Sequence, residues 1–226
     1  MQLHQGQVLH IKIGQVEQLA FADGTSMETA IRKQPVSSVR ITQQGPEGDS
    51  VGLKAHHGGV DKAVFFMAAD SFAALNRLTG SDFRYDGQAV YGENFVVSGL
   101  AEAHVCVGDV YQIGGCVLEI SQPRRPCSRL SRNSGYARMQ DTVFESGLTG
   151  WYARVLSEGT ASTGDTIVLQ QRSYPQWSIQ ALNRLLSSPE IDAEQIGLAL
   201  DCAPLAAAFK QALKKKLNGD SGKVAG

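Results

Sequence analysis

From Gly6 to about residue 170 the chain is broken by glycines at short intervals, and the stretches between them alternate apolar and polar residues. Gly6-Gln7-Val8-Leu9-His10-Ile11-Lys12-Ile13-Gly14 has the two-residue period of a half-buried strand. Val36 to Thr42 is rich in β-branched residues and reads as a second strand. Val105 to Ile113, the Gly114-Gly115 pair and Cys116 to Ile120 form a hairpin by their turn chemistry. Thr166 to Gln170 closes the region with a further strand. Short strands turned by glycine, rather than separated by long helices, favour a barrel over a layered α/β sheet.

Helices interrupt this pattern sparingly. Ala69 to Leu78 places Phe72, Leu75 and Leu78 at helical spacing, and Tyr136 to Glu145 carries a weaker helical pattern. Thr25-Ser26-Met27-Glu28 has the form of a capping box. Pro35 follows too soon for a long helix, so the segment reads as an extended loop. Composition shifts near Arg172-Ser173-Tyr174-Pro175-Gln176. Beyond it Ser178 to Leu186, Asp192 to Leu200 and Ala206 to Leu217 each show a helical stripe. The reading is a mainly β domain over residues 1–171 with a few inserted helices, then a small three-helix domain over 172–226.

The net charge of −1 leaves no basic field to hold a nucleic-acid backbone, so stable nucleic-acid binding is not expected. No apolar run approaches the roughly 20 residues of a membrane helix, and the N-terminus lacks a signal-peptide pattern. These features predict a cytoplasmic protein without membrane binding. Lys214-Lys215-Lys216 complements the dipole of the last helix. Cys106, Cys116, Cys127 and Cys202 form no CxxC pair or short disulfide framework, and Cys106 and Cys116 read as core residues. Trp151-Tyr152-Ala153-Arg154-Val155 reads as a core strand with Arg154 exposed.

Two stretches carry chemistry. Ser121-Gln122-Pro123-Arg124-Arg125-Pro126-Cys127-Ser128-Arg129-Leu130 sets one cysteine among three arginines in a proline-stiffened loop. Fixed positive charge favours the thiolate, which is the nucleophilic and metal-binding form. His56-His57-Gly58-Gly59-Val60-Asp61-Lys62-Ala63-Val64 packs histidines, an aspartate and a lysine around two glycines. These residues suit metal ligation, an anion cradle built from glycine N–H groups and Lys62, or a structured turn. Adjacent histidines on a strand face opposite sides, which argues against one ion shared by His56 and His57. Glu93 and Asn94, in Tyr91-Gly92-Glu93-Asn94-Phe95, offer an acceptor and an amide in a glycine-opened turn. GxGxxG after a strand, GxxxxGK[ST] and HExxH are all absent.

Taken together these motifs resemble the MOSC family, named for the C-terminal domain of molybdenum-cofactor sulfurases. The matching signatures, in order, are Gly45-Pro46-Glu47-Gly48-Asp49, His56-His57-Gly58-Gly59 with Asp61-Lys62-Ala63-Val64, Tyr91 to Phe95, Val107-Gly108-Asp109, and Gln122-Pro123-Arg124 with Pro126-Cys127. Their order and rough spacing fit over about residues 5 to 170, and the tail is similar to that of bacterial stand-alone YiiM-type members. The resemblance implies a β-barrel that binds the molybdenum cofactor, a pterin dithiolene with a phosphate, with Cys127 as metal ligand. It implies reduction of N-hydroxylated compounds, including purines, to amines, with electrons from a separate donor protein. Cys127, His57 and Asn94 are the implied catalytic residues. His56, Gly58, Gly59, Asp61, Lys62, Glu93, Asn94, Arg124, Arg125 and Arg129 are the implied cofactor contacts. A non-catalytic cofactor carrier and a sulfur carrier using a Cys127 persulfide stay open as alternatives, as does a homodimer. The chain lacks the aminotransferase-like domain of full sulfurases, which disfavours self-sufficient sulfuration.

Overall fold

The computed structural model describes residues 5–50 and 58–219. His56 and His57 lie outside the described residues. The first part of the chain forms β1 (Gln5–Ile13), β2 (Glu17–Ala20), β3 (Ser26–Thr29), β4 (Gln34–Val36), β5 (Ser38–Thr42) and β6 (Gly45–Pro46). Then come β7 (Val64–Ala68), α1 (Ala69–Thr79), β8 (Phe95–Ser98), β9 (Val110–Ile113) and β10 (Cys116–Pro123). After these follow α2 (Ser128–Ser134), α3 (Met139–Ser146), β11 (Trp151–Ser157), β12 (Gly159–Ser162) and β13 (Thr166–Gln171). The chain ends in α4 (Ile179–Ser187), α5 (Ala193–Leu200) and α6 (Ala207–Leu217).

Among the described residues seven strands close a barrel, as the alternation and glycine turns predict. The hydrogen-bonded order runs β1, β13, β9, β10, β11, β7, β8 and back to β1. Its ladders are antiparallel except for β7 against β8, where α1 begins the crossover between two parallel strands. All five residues of β7 are buried because both faces are covered. Val64, Phe66 and Ala68 point into the barrel core with Phe95, Trp151 and Ile120. Phe65 and Met67, on the alternate face, pack with Phe72, Leu75, Leu130, Met139 and Val143 from α1, α2 and α3.

The helical tail shares the barrel's core. Ile179, Leu182, Ile196, Ala199, Phe209 and Leu213 belong to the same apolar cluster as Val107, Ile120 and Trp151. Burying a side chain such as Phe209 completely contributes roughly 1.5–3 kcal/mol. Ser178 caps α4 by accepting from Ala181 N, and Asp192 caps α5 by accepting from Gln195 N. The seam is hydrogen-bonded too, through Ile179 N to Val105 O at 2.9 Å and a two-pronged Arg172–Asp109 pair. No described helix is long and apolar enough to cross a membrane.

Several segments differ from the sequence reading. Residues 36–42 do not form one strand. Pro35 has no N–H, so β4 pairs on one side only, and the chain switches at Ser37 to a second sheet with β12 and β6. The Thr25–Glu28 segment is extended as expected, yet it pairs with β2 as a hairpin because Met27 and Leu19 bury opposite one another. The helix expected over Tyr136 to Glu145 is α3, which starts three residues later at Met139, and Gly135, at φ 72°, ends the preceding short helix α2. Arg154 is not exposed; its half-buried guanidinium reaches Asp61 at 2.8 Å, Glu119 at 2.6 Å and Pro204 O at 2.8 Å.

Candidate functional site

The Cys127 loop is delivered by the end of β10. A bulge between Ile120 and Gln122 re-aims this strand, and Arg124 N donates to Gly150 O at 3.1 Å, pinning the loop to the start of β11. Cys127 stands immediately before α2 and is 6 % exposed. It opens onto a cleft. Lys33, Lys62, Arg124 and Arg129 line the same cleft, with Phe65, Tyr91 and Tyr152 as aromatic wall. Of the four cysteines only Cys127 lines it. Burial pushes the Cys106 and Cys116 thiols up to about 11, so neither offers a thiolate at neutral pH.

Arg124 is the unusual member. It is 6 % exposed, and among the described residues no carboxylate pairs with it. Its Nη2 donates to Tyr91 O at 3.4 Å, its guanidinium lies 5.6 Å from the Phe65 ring centre, and its charge acts on the nearby Tyr152 hydroxyl. Its Nη1 is buried without a hydrogen-bond partner, as is the Tyr91 hydroxyl. An uncompensated buried charge costs several kcal/mol, which an anion in the cleft would offset. Burial raises the Tyr91 and Tyr152 hydroxyls well above their ordinary range, so both are neutral hydrogen-bonding groups at neutral pH.

The glycine-rich stretch supplies Lys62. Gly59 at φ 104° turns the chain into the short 3₁₀ turn Val60–Lys62, a conformation that favours glycine. Desolvation and then the nearby Arg125 guanidinium lower the Lys62 ammonium, with Asp61 opposing them. Desolvation also lowers Arg125, which stands beside Lys62 rather than on the cleft wall.

Other expected contacts are engaged elsewhere. The Asp61 carboxylate is taken by Arg154, and neither it nor Gly58 or Gly59 lines the cleft. Glu93 is fully buried against Lys12 Nζ at 2.6 Å and accepts from Tyr91 N at 3.0 Å, so it locks the turn from behind. Asn94 does line the cleft, but its amide hydrogens are spent on Lys12 O at 3.2 Å and Asp49 Oδ2 at 2.9 Å. Its Oδ1 accepts from Phe65 N at 3.1 Å. Asn94 thus ties β1, β7 and the Asp49 loop together.

Sequence reasoning missed Lys33 and the Thr29–Ile31 segment, had Asp49 and Tyr91 only as parts of motifs, and had Tyr152 only as part of a core strand. Lys33 Nζ pairs with Asp49 Oδ2 at 2.5 Å on the cleft wall, both side chains being nearly buried. No local pattern marks this pair. Desolvation lowers the Lys33 ammonium, against the opposing charges of Asp49 and Glu93. Among the described residues no group of three His, Cys, Asp or Glu side chains could hold a metal ion.

Comparison with known proteins places this geometry. The model of the MOSC domain matches residues 54–168, and that of the YiiM-like, 3-alpha helix domain matches residues 177–220. The uncharacterised protein YflK of Bacillus subtilis is 34% identical over 210 residues, covering 92% of this chain and 93% of that protein. A protein named Reductase from Gibberella moniliformis is 30% identical over 219 residues, covering 94% of this chain, which spans 37% of that longer protein. The crystal structure of YiiM from Geobacillus stearothermophilus superposes with a TM-score of 0.77 at 27% identity, covering 94% of this chain and 99% of that one.

Proposed function

This chain belongs to the MOSC domain family, and from that footing we propose that it is a molybdenum-cofactor-dependent reductase that converts N-hydroxylated compounds to amines. One observation carries the reading. A nearly buried cysteine shares a cleft with basic side chains, one of which, Arg124, is buried with no carboxylate among the described residues to balance it. That donor set suits a ligand with a soft metal at one end and a phosphate at the other. The relative named Reductase supports an oxidoreductase.

In this reading Cys127 is the protein's ligand to molybdenum. Arg124 and Arg129 hold the phosphate, Arg124 with the unpartnered Nη1, and Lys62 with Arg125 adds positive charge from the glycine-rich turn. Phe65, Tyr91 and Tyr152 form a wall that shields the site from water. Bound cofactor supplies two-electron redox chemistry with oxygen transfer. Over the cycle R–NH–OH, two protons and two electrons become R–NH₂ and water. The electrons come from a separate redox protein.

The test is protein purified from a host able to make the cofactor. Near-stoichiometric molybdenum, reduction of an N-hydroxylated purine with a chemical electron donor, and loss of molybdenum in Cys127→Ala are expected. Molybdenum unchanged in Cys127→Ala removes the ligand role. Bound cofactor without turnover makes the protein a carrier, and a stable +32 Da adduct on Cys127 after treatment with a cysteine desulfurase makes it a sulfur carrier.

A further inference from the structure

We propose that Lys33 is the proton donor of this site, with Asp49 and Asn94 as the positioning residues that hold its ammonium at the cleft; the proposal rests on the reductase reading above. The pair is built with care. Lys33 and Asp49 both line the cleft, with side chains 7% and 6% exposed. Asp49 receives Gly14 N on Oδ1 at 2.8 Å, and Lys33 Nζ at 2.5 Å and Asn94 Nδ2 at 2.9 Å on Oδ2. Asn94 is itself held at its other polar atoms. Gly14 packs so closely on the lysine that an added Cβ would meet Lys33 Cα at 3.0 Å and Cγ at 3.1 Å. The ammonium is therefore fixed by its stem and by its charge partner.

The other groups of the cleft are less suited to release a proton. Arg124 and Arg129 keep theirs at any working pH. The Tyr91 and Tyr152 hydroxyls are raised by burial. Asp49, with three N–H groups donating to it, is the acceptor of its pair. Lys62 stands beside a second cation, Arg125, which suits it to an anion. Lys33 faces the carboxylates Asp49 and Glu93, the latter shared with Lys12, while desolvation eases release of its proton.

The step balances. The N–O bond of R–NH–OH breaks as two electrons arrive from the separate redox protein. The nitrogen takes one proton from Lys33–NH₃⁺ and becomes R–NH₂. The oxygen takes a second proton from solvent and leaves as water. Lys33–NH₂ regains its proton from solvent at the cleft mouth.

The experiment measures kcat against pH, with reduced methyl viologen as electron source, on cofactor-loaded wild type, Lys33→Met, Lys33→Arg and Lys62→Met. Molybdenum content is determined in each. Wild-type kcat should fall on the alkaline side as Lys33 loses its proton. Lys33→Met should keep its molybdenum, lose roughly 10²–10⁴-fold in kcat, and lose the alkaline limb. Lys33→Arg restores the charge but holds its proton, so it should be as slow. Lys62→Met should lose molybdenum rather than the limb. If Lys33→Met does not fold, Asp49→Asn decides. Removing the carboxylate should move the alkaline limb to lower pH, and a limb that stays put overturns the proposal. Nitrogen NMR of lysine-labelled wild type without cofactor reads the same group directly; an ammonium still charged above pH 10.5 also overturns it. Lys33→Arg at wild-type kcat overturns this inference alone. Wild type without molybdenum or reductase activity overturns the reductase reading and the proton-donor role with it.

Discussion

Replacing Lys12 with methionine isolates the physics that holds the Tyr91–Asn94 turn. Lys12 and Glu93 are both fully buried, with Nζ 2.6 Å from Oε1. The Lys12 ammonium also lies 5.8 Å from the Phe72 ring centre. Methionine fills a similar volume but leaves the Glu93 carboxylate in the interior with Tyr91 N as its remaining hydrogen-bond donor. Breaking a buried pair from one side costs about 3–5 kcal/mol, chiefly the desolvation of the charge left behind. For a chain of this length that is a fall in Tm of roughly 6–20 °C, at about 2–4 °C per kcal/mol. The double variant Lys12→Met/Glu93→Gln removes the stranded charge and keeps an acceptor for Tyr91 N. It should recover most of the loss. Urea unfolding of wild type, both single variants and the double variant gives the coupling directly. A single variant costing under about 1 kcal/mol, or a double variant no more stable than Lys12→Met, would refute the argument. Tyr91, Gly92 and Asn94 line the cleft, so Lys12→Met should also weaken activity below its melting range.

Arg124→Met should leave the Tm of ligand-free protein unchanged or higher, because it removes a buried charge with no carboxylate partner among the described residues, while abolishing thermal stabilisation by added inorganic phosphate. A phosphate response equal to wild type speaks against the anion role. Glu102 is buried, accepts from Ser71 Oγ at 2.8 Å and Gly150 N at 2.9 Å, and is raised by desolvation. Its folded form binds a proton more readily than its unfolded form, so its contribution is present below the ordinary glutamate range and is lost as pH rises through the raised value. Glu102→Gln should therefore be more stable than wild type at neutral pH, and the difference should vanish on acidification; a pH-independent difference in Tm contradicts this. Gly45 sits at φ 112°, with an added Cβ only 2.3 Å from Ala63 O. Gly45→Ala should cost at least about 1–3 kcal/mol from backbone strain alone, and a urea midpoint equal to wild type would show that the turn relaxes freely.

The parts of this protein legible in its sequence are those written by neighbours along the chain. Alternation marked β1, the Gly114-Gly115 turn marked the β9–β10 hairpin, and helical spacing marked the three tail helices to within a residue or two at each end. The prolines and arginines around Cys127 marked the loop that opens onto the cleft, because that clustering is local too. The sequence also carried the motifs of the family, in order.

Tertiary structure decided what the charged residues do. Lys12 and Glu93 are 81 positions apart, and Lys33 and Asp49 are 16 apart. Nothing in either neighbourhood names the partner; barrel closure brings β1 beside β8 and makes one pair structural. Glu93 and Asn94 looked like groups open to a ligand, yet burial turned one into a buried countercharge and the other into a clamp. Arg154 looked exposed until Asp61, Glu119 and the tail's Pro204 met it. Local pattern selects backbone conformation, which needs only near neighbours. The free energy of a charge depends on its solvent and its counter-ion, and both are set when distant segments close around it.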